Sequence, residues 1–239
     1  MLAKRYIYPL MLYAGILVGL TAGTYAATLR GLNSTRVYAA MLLLVPPALI
    51  GARLLFVVSH WGFYRADLRR IWRRSEGGAA LYGGLVLSFL VSRPLLKVLR
   101  LPLGAFWDAA AIAMLAGMVI TRVGCLMNGC CAGRPTTAWL GLYLPDLQGI
   151  RRRRVPTQLL EAGLALAILL VSAGLWNRLP FNGALFLFAL ATYSVGRCWL
   201  ESTREVIDTI GPVCLHVALS VIFLTASITS FVLLCRHTP

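Results

Sequence analysis

The residues best suited to chemistry lie between Thr121 and Thr136, in the run Thr-Arg-Val-Gly-Cys-Leu-Met-Asn-Gly-Cys-Cys-Ala-Gly-Arg-Pro-Thr. Arg122 follows a long apolar run, Phe106 to Ile120, and precedes a glycine-rich turn. A guanidinium deep in a membrane costs about 2.5–3.5 kcal/mol on insertion scales, so Arg122, at the end of a membrane helix, needs a partner or a purpose. Asn128 adds an amide and Cys125, Cys130 and Cys131 add thiols. A thiol becomes a nucleophile or a metal ligand only once ionised. The usual zinc pattern takes four ligands; three cysteines stand here, and His60, His216 and His237 are remote in sequence, so no metal site is expected. A second group is Tyr193, Arg197, Glu201 and Arg204, in which Arg197 and Glu201 are four apart, share a helix face and can pair. Gln158 and Glu161 follow Pro156-Thr157, and Arg53 stands inside another apolar run, where it either pairs or snorkels. Planar guanidinium groups grip phosphate through two parallel hydrogen bonds, so these arginines suit an anionic, phosphate-bearing ligand.

The elements that must position these groups are membrane helices. Of 239 residues 59% are apolar and 13% are charged, with a mean hydropathy of +0.77. Soluble domains carry about 25% charge. Seven stretches approach or exceed the length needed to cross a ~30 Å hydrocarbon core: Tyr6–Leu29, Val37–Ser59, Ala79–Leu99, Leu103–Met127, Thr157–Leu175, Asn182–Leu200 and Pro212–Cys235. Their continuous apolarity excludes an alternating, barrel-type pattern. The first stretch is too long for a removed signal peptide and lacks a clean cleavage pattern. The expected architecture is an all-α integral membrane protein of about seven transmembrane helices. It forms a single polytopic domain over 1–239, with an interfacial amphipathic segment near 61–78 and a polar loop over 129–156.

The net charge of +15 arises almost wholly from arginine, since only Lys4 and Lys97 are lysines. With no room for a soluble basic face, anionic phospholipid is the expected partner and nucleic acid is not. Within the interfacial segment, Leu68, Ile71 and Trp72 alternate with arginines, as in a short amphipathic helix in the headgroup layer. The run Arg151 to Arg154 reads as a solvated or lipid-facing patch, and Tyr8 as part of an aromatic belt. Asp108 reads as a residue favoured by the dipole at the start of its own helix. The doublets Gly77-Gly78 and Gly83-Gly84, around Tyr82, permit close backbone approach either to a ligand or to another helix.

Several of these motifs stand in one order. They are Gly51-Ala52-Arg53, Glu76-Gly77-Gly78 with Tyr82-Gly83-Gly84, Arg122-x-Gly124 with Asn128-Gly129, Pro156-Thr157-Gln158 with Glu161, and Arg197 with Glu201 and Arg204. In this order and spacing the chain resembles the prolipoprotein diacylglyceryl transferase family from its first helix to Arg204. The resemblance implies a transferase that moves a diacylglyceryl group from phosphatidylglycerol to a lipobox cysteine thiol of a preprolipoprotein and releases glycerol phosphate, without cofactor. It implies catalytic roles for Arg122, Arg197, Glu201 and Tyr82. Substrate-binding roles fall to Arg53, Asn128, Gly133, Gln158, Glu161 and Arg204, and Cys125, Cys130 and Cys131 stand as reactive-thiol candidates. The chain departs from the family pattern at three points: Cys125 replaces an asparagine, Cys130 an acidic residue, and Tyr82 the histidine of a His-Gly-Gly motif. With a reference pKa near 10, tyrosine is a poorer base than histidine at neutral pH. Two alternatives therefore accompany the main reading: the same donor with a lipid or small-molecule acceptor, and a non-enzymatic phospholipid-binding or translocating protein.

The resemblance also implies a bacterial cytoplasmic (inner) membrane location with the site on the outer face. The distribution of basic residues points the other way. The side holding the amino terminus and the Gly-Cys-Cys loop is the richer in arginine, and the positive-inside rule would make it cytoplasmic.

Overall fold

The computed structural model describes residues 2–72, 80–146, 148–205, 209–210 and 213–237. Seven long helices stand among them: α1 (Leu2–Thr28), α2 (Ser34–Ser59), α4 (Leu81–Val98), α5 (Leu103–Asn128), α6 (Thr157–Gly174), α7 (Ala184–Glu201) and α8 (Leu215–His237), with a four-residue α3 (Trp61–Tyr64) after α2. Six are long and apolar enough to cross a membrane. The seventh, α7, is as long as α4 and α6 but carries Arg197 and Glu201, which lower its hydropathy. The protein is thus an all-α, multi-pass membrane protein.

Lipid tails do not drive helices together as water does, so close association depends on small residues that let backbones touch. Two such seams organise the bundle. Gly15, Gly19 and Gly23 of α1 lie against Gly117, Ala113 and Ala109 of α5, so the two helices run antiparallel; a Cβ on Gly19 would stand 2.6 Å from the Ala113 carbonyl oxygen. Gly51 of α2 and Gly83 of α4 meet in the same way, each Cβ position lying 2.3 Å from the other's carbonyl oxygen. The Gly83-Gly84 doublet therefore serves helix packing, while Gly77-Gly78, with Glu76, lies outside the described residues.

Helix α5 is the axis. Its residues Ala105 to Ile112 are all buried, and Trp107 donates to Ser92 Oγ at 3.0 Å while packing on Phe186 at 4.9 Å between ring centroids. Asp108 is fully buried, and it serves a different helix from its own. Its carboxylate accepts from the backbone N–H groups of Gly183 (2.8 Å) and Phe186 (2.9 Å) at the start of α7 and pairs with Arg30. Those N–H groups have no partner within their own helix, so a carboxylate from a neighbour completes them.

On the end that holds the amino terminus of α1, the polar loop folds back as a hairpin. Strand β1 (Leu142–Pro145) pairs antiparallel with β2 (Arg151–Arg154), Leu142 opposite Arg154. Asp146 shapes the turn, accepting from the N–H groups of Gln148 and Ile150 at 2.9 Å each. A second short pairing joins β3 (Thr209–Ile210) to β4 (Val213–Cys214). The expected arginine patch is corrected here: Arg151, Arg152 and Arg153 are exposed, but Arg154 is 1% exposed. It pairs with Asp146 at 2.9 Å and with Glu205, clasping the hairpin to the chain beyond α7. The segment after α2 is also corrected, being two short turns, α3 and a 3-10 turn at Leu68–Trp72, instead of one amphipathic helix through its described part. Arg53 anchors it, with Nε donating to the Ile71 carbonyl at 3.0 Å and the guanidinium facing the Phe56 and Tyr64 rings.

Candidate active site

Three helices deliver charged groups to one end of the bundle. Arg122 stands near the end of α5, Glu161 in the second turn of α6, and Arg197 and Glu201 on the last turns of α7. The four-residue spacing of Tyr193, Arg197 and Glu201 keeps them on one face of α7, and Arg204 follows in the turn just beyond its end. All converge on Glu161, which is fully buried. Its carboxylate contacts Arg122 at 2.6 Å, Arg204 at 2.9 Å, the Tyr193 hydroxyl at 2.8 Å and, more loosely, Arg197 at 3.7 Å. Arg197 pairs with Glu201 at 2.8 Å.

Three guanidinium groups against two carboxylates leave one net positive charge in a low-dielectric setting. Removing one partner of a buried pair costs about 3–5 kcal/mol because the other charge stays buried, so the cluster is tightly coupled. Two of its donors, Arg197 Nη1 and Arg204 Nε, are buried with only loose ionic contacts to Glu161 (3.7 Å) and Glu201 (3.6 Å). The acceptors Gln158 Oε1 and both Glu201 carboxylate oxygens are likewise buried without a hydrogen-bond partner among the described residues. Buried polar groups without partners are uncommon, and together with a cationic excess they describe an anion site with hydrogen-bonding capacity in reserve. Arg204 lies beyond the end of α7; burial opposes its charge, but Glu161, with Cys131 and Glu201, outweighs that and holds its pKa above the ordinary value.

The Gly-Cys-Cys turn closes the site. Helix α5 ends at Asn128 and Gly129 takes the left-handed conformation, φ 78°. The N–H of Cys130 reaches back to the Cys125 carbonyl at 3.1 Å and that of Gly129 to Leu126 at 3.2 Å. This is a Schellman ending, which uses otherwise orphaned helix carbonyls. A Cβ at Gly129 would meet the Asp146 carbonyl at 2.5 Å, so the turn lies directly on the hairpin. Cys131 is left-handed without being glycine, φ 56°, a conformation that costs on the order of 1–3 kcal/mol and persists only where its surroundings impose it. The Gln158 amide donates to the Cys130 carbonyl at 2.8 Å, fastening the turn to α6. The sulfurs of Cys125, Cys130 and Cys131 all lie within 4.8 Å of one another. Hydrogen bonds from the Cys125 and Cys130 thiols, with Arg122 and Arg204 nearby, hold the Cys131 thiol well below the usual thiol range. Cys130 is pushed up: donation from Cys125 lowers it, but its bond to Cys131 and burial outweigh that.

Of the sequence-predicted site residues, the structure brings together Arg122, Gln158, Glu161, Arg197, Glu201, Arg204 and the thiols, with Asn128 at the helix end beside them. Gly133 is a backbone junction: it bridges to Arg204, and a Cβ there would meet the Val155 carbonyl at 2.1 Å. Arg53 is engaged with the turn after α2. Tyr82 is 1% exposed, with its hydroxyl 2.6 Å from Ser220 Oγ and its ring stacked on Phe223 of α8. Two residues gain a place that the sequence did not give them. Tyr193, grouped with Arg197 by its four-residue spacing, donates to Glu161 on a different helix. Tyr8, read as a belt residue, lies within electrostatic reach of Arg122 and the three thiols; no sequence signal spans the distance between them.

Fold and site together define a polytopic helical membrane protein with a buried, cationic cluster of arginines and glutamates at one end. Comparison with known proteins gives that class a family. The sequence matches the prolipoprotein diacylglyceryl transferase family over residues 3–233, and the chain belongs to that family. It is 30% identical to the phosphatidylglycerol–prolipoprotein diacylglyceryl transferase of Trichormus variabilis, across 86% of this chain and 77% of the relative. It is likewise 30% identical to that of Bacillus cytotoxicus, across 98% and 88%. The same-named protein of Lactiplantibacillus plantarum is 28% identical, across 97% and 86%.

Proposed function

We propose that this chain transfers the diacylglyceryl group of phosphatidylglycerol to a lipobox cysteine thiol of a preprolipoprotein, in the bacterial inner membrane with the site on the outer face. The observation that carries this reading is the arginine cluster on Glu161, with a net positive charge and loosely engaged buried donors. The thiol sulfur attacks the glyceryl carbon bonded to the phosphate oxygen. The new C–S bond forms as the C–O bond breaks, the electron pair leaves with glycerol phosphate, and the thiol proton passes to the released ester or to solvent. Charge grows on the departing oxygen, where Arg122, Arg197 and Arg204 can meet it with charge-assisted hydrogen bonds. Glu161 and Glu201 hold these guanidinium groups apart and in place before the phosphate arrives, so little reorganisation is needed during reaction. A free thiol has a pKa near 8.5 and is only partly ionised at neutral pH; the excess positive charge favours its thiolate.

The test is mass spectrometry of a lipobox peptide after incubation of the purified protein with phosphatidylglycerol. A gain of one diacylglyceryl mass, absent with Arg122→Ala, supports the proposal; an unmodified peptide contradicts it. One observation favours a different acceptor with the same donor. Tyr82 stands where the family pattern has a histidine, and its hydroxyl already engages Ser220. Glycerol phosphate release with an unmodified peptide and a new lipid product would select that alternative.

A further inference from the structure

The three thiols are more than a structural turn. We propose that Cys125, Cys130 and Cys131 form a trigonal thiolate site for a single soft monovalent metal ion, Cu(I). Sequence places two of these residues five and six positions after the first, which does not by itself bring sulfurs together. The Schellman ending and the left-handed Cys131 do so, folding the chain until the three sulfurs lie within 4.8 Å of one another. An ion about 2.3 Å from each of three sulfurs needs them roughly 4 Å apart in a trigonal plane, which a small contraction of this group supplies.

The donor set selects the ion. Among the described residues no histidine or carboxylate joins the group. Zinc sites take four ligands and hard cations take oxygen, whereas a soft ion content with three sulfurs fits what is present. Burial is graded: Cys125 is buried, Cys130 half-buried and Cys131 exposed. The ion therefore has a way in, and its innermost ligand is shielded. On binding, three S–Cu bonds form and those thiols still protonated release their protons to solvent, with no change in oxidation state. The resulting negative charge stands beside Arg122, three residues before Cys125 on the same face of α5, and beside the cationic excess of the Glu161 cluster. A bound ion would thus sit against the arginine that the transfer reading assigns to phosphate.

The test needs neither lipid nor peptide, so it stands apart from the transfer assay. Purified, reduced protein in detergent, kept free of oxygen, is titrated against the coloured complex of Cu(I) with a bidentate chelator. The unaltered chain is expected to withdraw one equivalent, with a sulfur-to-copper charge-transfer band in the near ultraviolet and three sulfur neighbours by X-ray absorption. A Cys198→Ser, Cys214→Ser, Cys235→Ser chain should behave the same. Cys125→Ser and Cys131→Ser, near-isosteric and each checked for a monodisperse elution profile, should lose the band and the withdrawal. No withdrawal by the unaltered chain, or unchanged withdrawal by either single variant, overturns the proposal.

Discussion

At the scale of single residues, Glu161 is the group on which the others depend. It faces Arg122, Arg197 and Arg204 from a fully buried position, so exchanging its charge for an amide leaves three guanidinium groups with one carboxylate between them. Glu161→Gln is expected to destabilise the protein by about 3–5 kcal/mol, read as a lower unfolding temperature in detergent, and to abolish transfer. Tyr193→Phe removes only one hydrogen bond to that carboxylate, worth about 1.5–3 kcal/mol. It should lower stability less and leave measurable transfer. Equal effects of the two substitutions would deny Glu161 its central place. The identities at this scale were readable in advance: arginines and glutamates in apolar runs stand out by their insertion cost. Their partnerships were not. The spacing of Arg197 and Glu201 revealed one pair, but Glu161 meets Arg122 across different helices, and no local rule reports that. Arg154 misled for the same reason, since three neighbouring arginines are exposed and its partners Asp146 and Glu205 lie eight and 51 residues away.

At the scale of elements, apolar runs alone indicated the seven long helices, because a membrane helix must satisfy its own backbone and so declares its length in sequence. What joins them was less visible. The Gly15, Gly19, Gly23 series is a small-residue stripe whose match on α5 includes two alanines, and only the structure registers the two. Gly19→Leu, whose Cβ would stand 2.6 Å from a backbone oxygen, should abolish recovery of monodisperse protein. Gly163→Ala on α6, with nothing within 4 Å of the added Cβ, should not. Comparable yields for both would remove the seam from the account. Asp108 makes the same point for polar contacts. It sits in α5 but completes the start of α7 and pairs with Arg30, so Asp108→Ala is expected to cost about 3–5 kcal/mol, measured as a fall in unfolding temperature. The hairpin was invisible beforehand because Arg151 to Arg154 lacks the alternation of a half-buried strand; Asp146 and the Arg154 clasp supply what an apolar face would have supplied.

For the whole molecule, the ends of the helices put the site, the hairpin and the turn after α2 on one side of the bundle, and Arg30, Asp108 and the α6–α7 connection on the other. The basic residues crowd the site side, which the positive-inside rule would make cytoplasmic. Several of them are committed within the structure: Arg154 is clasped, Arg204 is bound to Glu161, and the Arg53 guanidinium holds the neighbouring turn. Proposed on the outer face, the exposed Cys131 should react in intact cells with a thiol reagent that does not cross membranes, and Cys131→Ser should lose that label. Labelling only after the membrane is opened would place the site on the cytoplasmic face.

In the proposed reaction the arginine cluster on Glu161 holds the phosphate of a lipid donor while its diacylglyceryl group moves to a thiol. The measurement that reaches it most directly follows both products in one reaction, glycerol phosphate and lipidated peptide, from labelled phosphatidylglycerol. The two should appear in equal amounts and fall together in Arg122→Ala and Arg197→Ala. Lipidated peptide undiminished by the loss of either arginine would contradict it.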